Sequence, residues 1–175
     1  DDPLLFNLLQ AAAACNDAEL QEKAGRPVVV GDPTEGAMLV AAAKGGMTRS
    51  AIESDMPRLQ TVPFDSDRKR MTVVRARSED VTAFVKGAPE VIIERCTHIL
   101  TPQGPVELSA SDRSRMVQAG ALLANDALRV LALARRSLAQ PYTVDAANDL
   151  EQGLTLLGLI GLQDPPRPEA RDAVA

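Results

Sequence analysis

Residues 58–90 read RLQTVPFDSDRKRMTVVRARSEDVTAFVKGAPE, and the fold turns on this stretch. Leu59 to Phe64, Met71 to Ala76 and Val81 to Lys86 are strand-like runs, separated by the charged turn Asp65 to Arg70 and by Ser78-Glu79-Asp80. Connections this short join strands only in antiparallel fashion.

The flanking sequence supplies helices and further strands. Downstream, Glu90 to Arg95 predicts a short helix with Pro89 at its first position, and Ser109 to Asn125 a longer one capped by Ser109 or Ser111. Leu128 to Arg135 and Leu154 to Leu162 have the apolar density of central strands, although Leu and Ala alone leave helix open there. Upstream, Leu4, Leu5, Leu8, Leu9, Ala12 and Ala13 recur at helical spacing behind Asp2-Pro3, which predicts a helix to about Asn16. Gly25-Arg26-Pro27 ends a polar loop. Asp32-Pro33 then opens a helix that runs to Gly45-Gly46, with Asp32 as N-cap and Glu35 at the third position, where a capping box accounts for it. The sum is an α+β domain, an antiparallel β-sheet flanked by helices.

The 175 residues suit one domain with a continuous core. Aromatic content is 2%, from three Phe and one Tyr, so each ring invites inspection. A net charge of -5 argues against nucleic acid or an anionic membrane as partner, since both are held by clustered cations. Cys15 and Cys96 lie far apart with no CxxC pattern, and His98 is the single histidine, so no metal ligand set is expected. Both thiols are expected buried, and His98, between Thr97 and Ile99, is expected in a strand. No run approaches the roughly 18 apolar residues of a membrane span. The opening Asp1-Asp2-Pro3 and an end inside a helical run after Pro168 give the expectation of a segment of a longer protein.

GxxxxGK[ST], GxGxxG, HExxH and GxSxG motifs do not occur. Two strand-linked clusters remain. In Pro63 to Met71, Phe64 is a ring able to stack on a base, Met71 an apolar wall and Lys69 a charge for phosphate. The same cluster also reads as a hairpin with a solvated charged turn. In Phe84 to Glu90, Lys86 ends a strand beside Gly87, which lets a ligand approach the backbone, or Lys86 is an exposed lysine before a helix.

The segments GDPTEGAMLVAAAKGG, PFDSDRKRM, FVKGAPEVIIERC, ALRVLALARR and GLIGLQDPPRPEAR occur in this order from residue 31 to residue 171. In that order they resemble landmarks of the P-type cation-transporting ATPases, closest to the calcium-pump-like members, and with Cys15-Asn16-Asp17 they cover nearly the whole chain. The resemblance implies the nucleotide-binding domain over residues 1–163 and, at Asp164, Pro165, Pro166 and Arg167, a hinge returning to the phosphorylation domain over 164–175. It implies that Phe64 stacks on the adenine of ATP, Glu35 contacts the base edge and Lys86 lines the pocket floor beside Gly87. Lys69 and Met71 complete the surroundings, and Arg129 reaches the phosphates.

The phosphorylation and actuator domains of the parent chain are the implied partners, on the cytoplasmic side of its membrane. Magnesium is expected in the full pump and not on a dedicated site here. Ser66 stands where several animal members carry arginine, so one phosphate contact is missing. The family's Asp-Lys-Thr-Gly-Thr phosphoacceptor motif does not occur in the sequence, so this chain is expected to bind ATP without hydrolysing it. Two rival readings are a protein-docking module on the same fold and a phosphatase using Asp65-Ser66-Asp67, a spacing that a hairpin explains better.

Overall fold

The structure, a computed structural model, describes residues 2–23, 26–139, 142–143 and 147–163. The expected hinge, Asp164, Pro165, Pro166 and Arg167, lies outside the described residues.

The central meander forms as its sequence predicts. Strands β3 (Arg58–Asp65), β4 (Arg70–Arg77) and β5 (Asp80–Gly87) pair antiparallel in succession. β8 (Arg129–Leu138) adds antiparallel to β5, and β9 (Leu154–Leu162) antiparallel to β8. Beyond β9 lies a hairpin, β6 (Cys96–Thr101) and β7 (Gly104–Glu107), which places His98 in a strand as expected. The sheet order is β3-β4-β5-β8-β9-β6-β7. One pairing departs from the antiparallel expectation: β6 runs parallel to β9, so the sheet is mixed.

Helices cover both faces. On one lie α1 (Pro3–Ala14), α2 (Pro33–Lys44) and α3 (Arg49–Asp55), packed on Met71, Val73, Phe84, Leu133 and Leu157. On the other, α4 (Pro89–Arg95) and α5 (Ala110–Asn125) pack on Val85, Ala132, Ala134, Leu154 and Leu156. Strands buried on both faces lose the alternation of a half-exposed strand, which is why Met71 to Val74 are buried without a break. Ala11 to Ala14 are fully buried, and their small side chains seat α1 close against its neighbours. This packing explains how a core can be built with so few aromatic rings.

Local signals set the helix starts. Asp2 and Asp32 accept backbone amides as N-caps of α1 and α2, and Ser109, not Ser111, caps α5 in a capping box with Asp112. Helix α1 ends at Ala14, two residues short of its expected reach, with Cys15 as C-cap.

Other features depart from the expected elements. Arg26 and Pro27 open β2 (Arg26–Val30), which pairs with β1 (Glu19–Lys23) in a two-stranded ribbon where the polar loop was expected; a proline is tolerated where no central ladder needs its amide. Helix α3, capped by Thr48, is short and polar, and its Glu53 meets the buried Arg75 of β4 at 2.8 Å. Arg70, placed by sequence in a solvated turn, is buried at the start of β4. Cys15 and Cys96 are buried as expected; burial pushes their thiols up to about 11 and about 12.

Candidate functional site

A cavity of about 380 Å³ opens on the α1–α2 face of the sheet, within the usual size of a small-molecule site. Its floor comes from β4, β5 and β8, where Met71 pairs with Lys86 and Lys86 with Leu133, so these side chains share one face. Met71 and Lys86 are 1% and 5% exposed, and Leu131, two residues before Leu133, extends the apolar wall.

Helix α2 supplies one side. Asp32 Oδ1 accepts the Thr34 and Glu35 amides at 2.8 and 3.1 Å, which fixes the first turn and turns Glu35 inward. Glu35 does not close a capping box. Its Oε2 instead accepts the Asp17 and Ala18 amides at 3.0 and 3.1 Å, and its Oε1 accepts from Lys86 Nζ. Pairing with a carboxylate is what lets an ammonium sit at such low exposure.

The segment after α1 is the opposite side, and it is held from several directions. Buried Asn16 donates to the Glu35 carbonyl at 2.9 Å and accepts the Ala18 amide at 2.9 Å. Arg58 of β3 donates to the Asn16 carbonyl at 2.7 Å and to the Asp17 carboxylate at 2.6 Å. Arg49 of α3 donates to the Ala18 carbonyl.

Phe64 forms the rim, with 62% of its surface exposed. Its presentation has a backbone cause. Between Val62 and Asp65 the register with β4 slips by one residue, a bulge at Pro63-Phe64. Bulges bend a strand and re-aim side chains, and they concentrate near functional sites. Arg129, at the start of β8, donates to Thr34 Oγ1 at 2.7 Å across the cavity mouth.

Six of the seven residues expected from sequence therefore line one cavity: Glu35, Phe64, Met71, Lys86, Gly87 and Arg129. Lys69 does not. It lies in the β3–β4 turn at φ 52°, with its ammonium 4.0 Å from Glu90. Gly87 lines the cavity, but the space its missing side chain leaves is taken by the Lys69 carbonyl and Arg70, so its close backbone approach is within the protein. In the same turn, as the hairpin reading expects, Asp65 Oδ1 accepts the Arg68 and Asp67 amides at 2.8 and 3.0 Å, which holds its carboxyl below the usual range.

Sequence reasoning missed Asp17, Thr34 and Leu131 as lining residues and took Asp32 only as a cap. Asp17 and Thr34 stand within segments already singled out, beside Asn16 and Glu35, and that adjacency was the available signal. Among the described residues, no group of three or more His, Cys, Asp or Glu is placed to hold a metal, and no helix is long and apolar enough to cross a membrane.

Residues 5–169 match the family model described as P-type ATPase, cytoplasmic domain N. The chain is 38% identical over 172 residues to the cation-transporting ATPase pma1 of Synechocystis, covering 98% of this chain and 19% of that protein. It is 39% identical over 173 residues to a calcium-transporting ATPase of Bacillus subtilis, covering 97% and 19%. With the endoplasmic reticulum calcium ATPase srcA of Aspergillus fumigatus the identity is 33% over 198 residues, covering 95% and 20%. The chain thus spans about a fifth of the length of these relatives.

Proposed function

Because the chain belongs to the family of P-type ATPase cytoplasmic N domains, we propose that its cavity binds ATP by the adenine ring and presents the terminal phosphoryl group to an aspartate elsewhere in a longer cation-transporting pump. The observation that carries this reading is the exposed Phe64 ring at the rim of a cavity walled by Met71 and Leu131, with Lys86 at its floor and Arg129 at its mouth. A flat heteroaromatic base suits the rim, and an anionic tail suits the arginine.

Glu35 keeps a part in base recognition. A carboxylate offers about four acceptor positions, and three are filled by the Asp17 amide, the Ala18 amide and Lys86. One acceptor remains for the exocyclic amine of adenine, whereas guanine would turn a carbonyl oxygen toward it. Arg129 would leave Thr34 for a phosphate oxygen, a charge-assisted bond stronger than the one it gives up.

Phosphoryl transfer itself needs an acceptor and charge neutralisation. In this reading both belong to the rest of the pump, magnesium with them. The 164–175 hinge and the contacts with phosphorylation and actuator domains are part of the same proposal.

Affinity should be modest. A stacked ring and one or two charged hydrogen bonds, set against lost freedom, leave a dissociation constant on the order of 0.1–1 mM. The test is NMR titration of this chain with AMP, ADP, ATP and GTP. The three adenine nucleotides should bind within a few-fold of one another and GTP more weakly, and Phe64→Ala should weaken all three by about 1–3 kcal/mol. Unchanged ATP affinity in Phe64→Ala, with shifts clustered away from the cavity, would refute the pocket and leave Phe64 as a protein-docking residue.

A further inference from the structure

Glu151 has 0% exposure, yet nothing in its surroundings in sequence marks it. It sits between the single turn α6 (Ala147–Leu150) and β9, on the sheet face opposite the cavity, because its partners Arg70 and Thr72 alternate with cavity-facing Met71. Arg68 Nη1 reaches both carboxylate oxygens at 2.7 and 2.9 Å, Arg70 Nε reaches Oε2 at 2.5 Å and Thr72 Oγ1 reaches Oε1 at 2.7 Å. Arg70 and Thr72 already give the buried charge a cation and a hydroxyl. Arg68, itself partly exposed, is an additional partner whose other end leads elsewhere.

That other end decides the matter. Arg68 Nη2 donates to the Pro63 carbonyl at 2.9 Å and to the Arg70 carbonyl at 3.3 Å. Pro63 lies in the β3 bulge, between the paired residues Val62 and Asp65, and Phe64 follows it. Proline brings no amide to the ladder, so the bond from the Arg68 guanidinium to its carbonyl is a side-chain tie on the bulge itself.

We propose that Glu151 is a positioning residue for nucleotide binding: by orienting Arg68 it holds the Pro63-Phe64 bulge at the angle that presents the Phe64 ring to the cavity. The inference rests on the nucleotide reading of that cavity. It links a residue in the turn before β9 to a ring 87 positions earlier, through the sheet.

Glu151→Gln leaves two guanidiniums short of their counter-charge and risks the fold, so Arg68→Met is the deciding variant, since Arg70 and Thr72 still satisfy Glu151. Each is made alone and with Phe64→Ala, and AMP and ATP are titrated while the Phe64 ring resonances are followed. The expected result is that Arg68→Met keeps the far-UV spectrum, shifts the Phe64 ring signals and weakens AMP and ATP equally, by at least about fivefold, the lower end of the loss of a stacked ring. In the Phe64→Ala background the same change should have no further effect. Arg68→Lys, which keeps the charge but lacks the planar fork that spans Glu151 and Pro63, should fall between. Parent-like affinity in Arg68→Met, or an equal loss with and without Phe64, overturns the proposal and leaves Glu151 a purely structural charge. Absence of nucleotide binding by the parent chain overturns the pocket reading and this inference together, and is told apart by that control.

Discussion

Replacing Gly87 with alanine would drive a methyl group into the backbone of the neighbouring strand. A β-carbon there overlaps the Lys69 carbonyl oxygen and stands 2.8 Å from the Arg70 β-carbon and 3.0 Å from its α-carbon. None of these atoms can swing away by changing rotamer, so β4 and β5 must part at the end nearest the cavity. Gly87 pairs with Arg70 in the ladder, and the adjacent Ala88 amide donates to the Lys69 carbonyl at 3.0 Å, so parting forfeits at least one backbone hydrogen bond. Overpacking costs about 1–3 kcal/mol and the lost bond about 0.5–1.5, which gives a destabilisation of about 2–4 kcal/mol. Urea unfolding followed by far-UV circular dichroism should show a midpoint lower by about 1–2 M at unchanged slope. Gly120→Ala provides the contrast. Its added β-carbon meets Leu159 at an ordinary 3.6 Å inside α5, and removing a helical glycine there should stabilise by about 0.5–1 kcal/mol. A Gly87→Ala midpoint equal to the parent's, or moving with Gly120→Ala, would refute the close approach.

Other outcomes follow from the caps, the thiols and the buried carboxylates. Asp32→Ala removes the acceptor of two amides at the start of α2 and should cost about 1 kcal/mol, read as a melting temperature lower by about 2–4 °C. Burial holds the Cys15 and Cys96 thiols up at about 11 and about 12, so iodoacetamide at pH 8 should modify neither in the folded chain and both in urea, as mass spectrometry would report; labelling of the native chain would contradict their burial. For Glu151, burial pushes the carboxyl up but the bonds from Thr72, Arg68 and Arg70 together outweigh it, and for Glu53 the bond from Arg75 leads, so both lie below the usual range. A depressed folded value stabilises above the unfolded value of about 4.3 and is lost as pH falls through the folded one. Stability should therefore fall on acidification below about pH 4, more steeply in the parent than in Glu151→Gln.

The meander was legible because strand-like runs alternate with unmistakable turns, Asp65 to Arg70 and Ser78 to Asp80. Helix α2 was legible because Asp32-Pro33 is a local start signal, and β8 and β9 only in part, since their apolar density suits central strands while Leu and Ala left helix open. What escaped is of two kinds. Short or polar elements, α3 and the β1–β2 ribbon, have weak periodicity, and the Arg26-Pro27 pair argues locally for a loop that pairing overrides. Long-range choices carry no local mark: the parallel β6–β9 pairing and the convergence of Arg68, Arg70 and Thr72 on Glu151 depend on partners dozens of residues away. In the site, motif order identified Phe64, Met71, Lys86, Gly87, Glu35 and Arg129, which share a cavity. Lys69 falls outside that cavity because a turn residue's direction depends on its backbone angles, here left-handed, and not on its neighbours in sequence.

The last strand among the described residues is an interior strand of the sheet: β9 lies between β8 and β6. Until residues 154–162 insert, β8 and β6 are open edges and the sheet exists as two unjoined pieces, a meander and a hairpin. Pairing that joins strands so distant in sequence is of the kind that slows folding, and until β9 inserts it leaves the β6 and β8 edges free to pair with other chains. A ribosome must release residues 154–162 before this sheet can close.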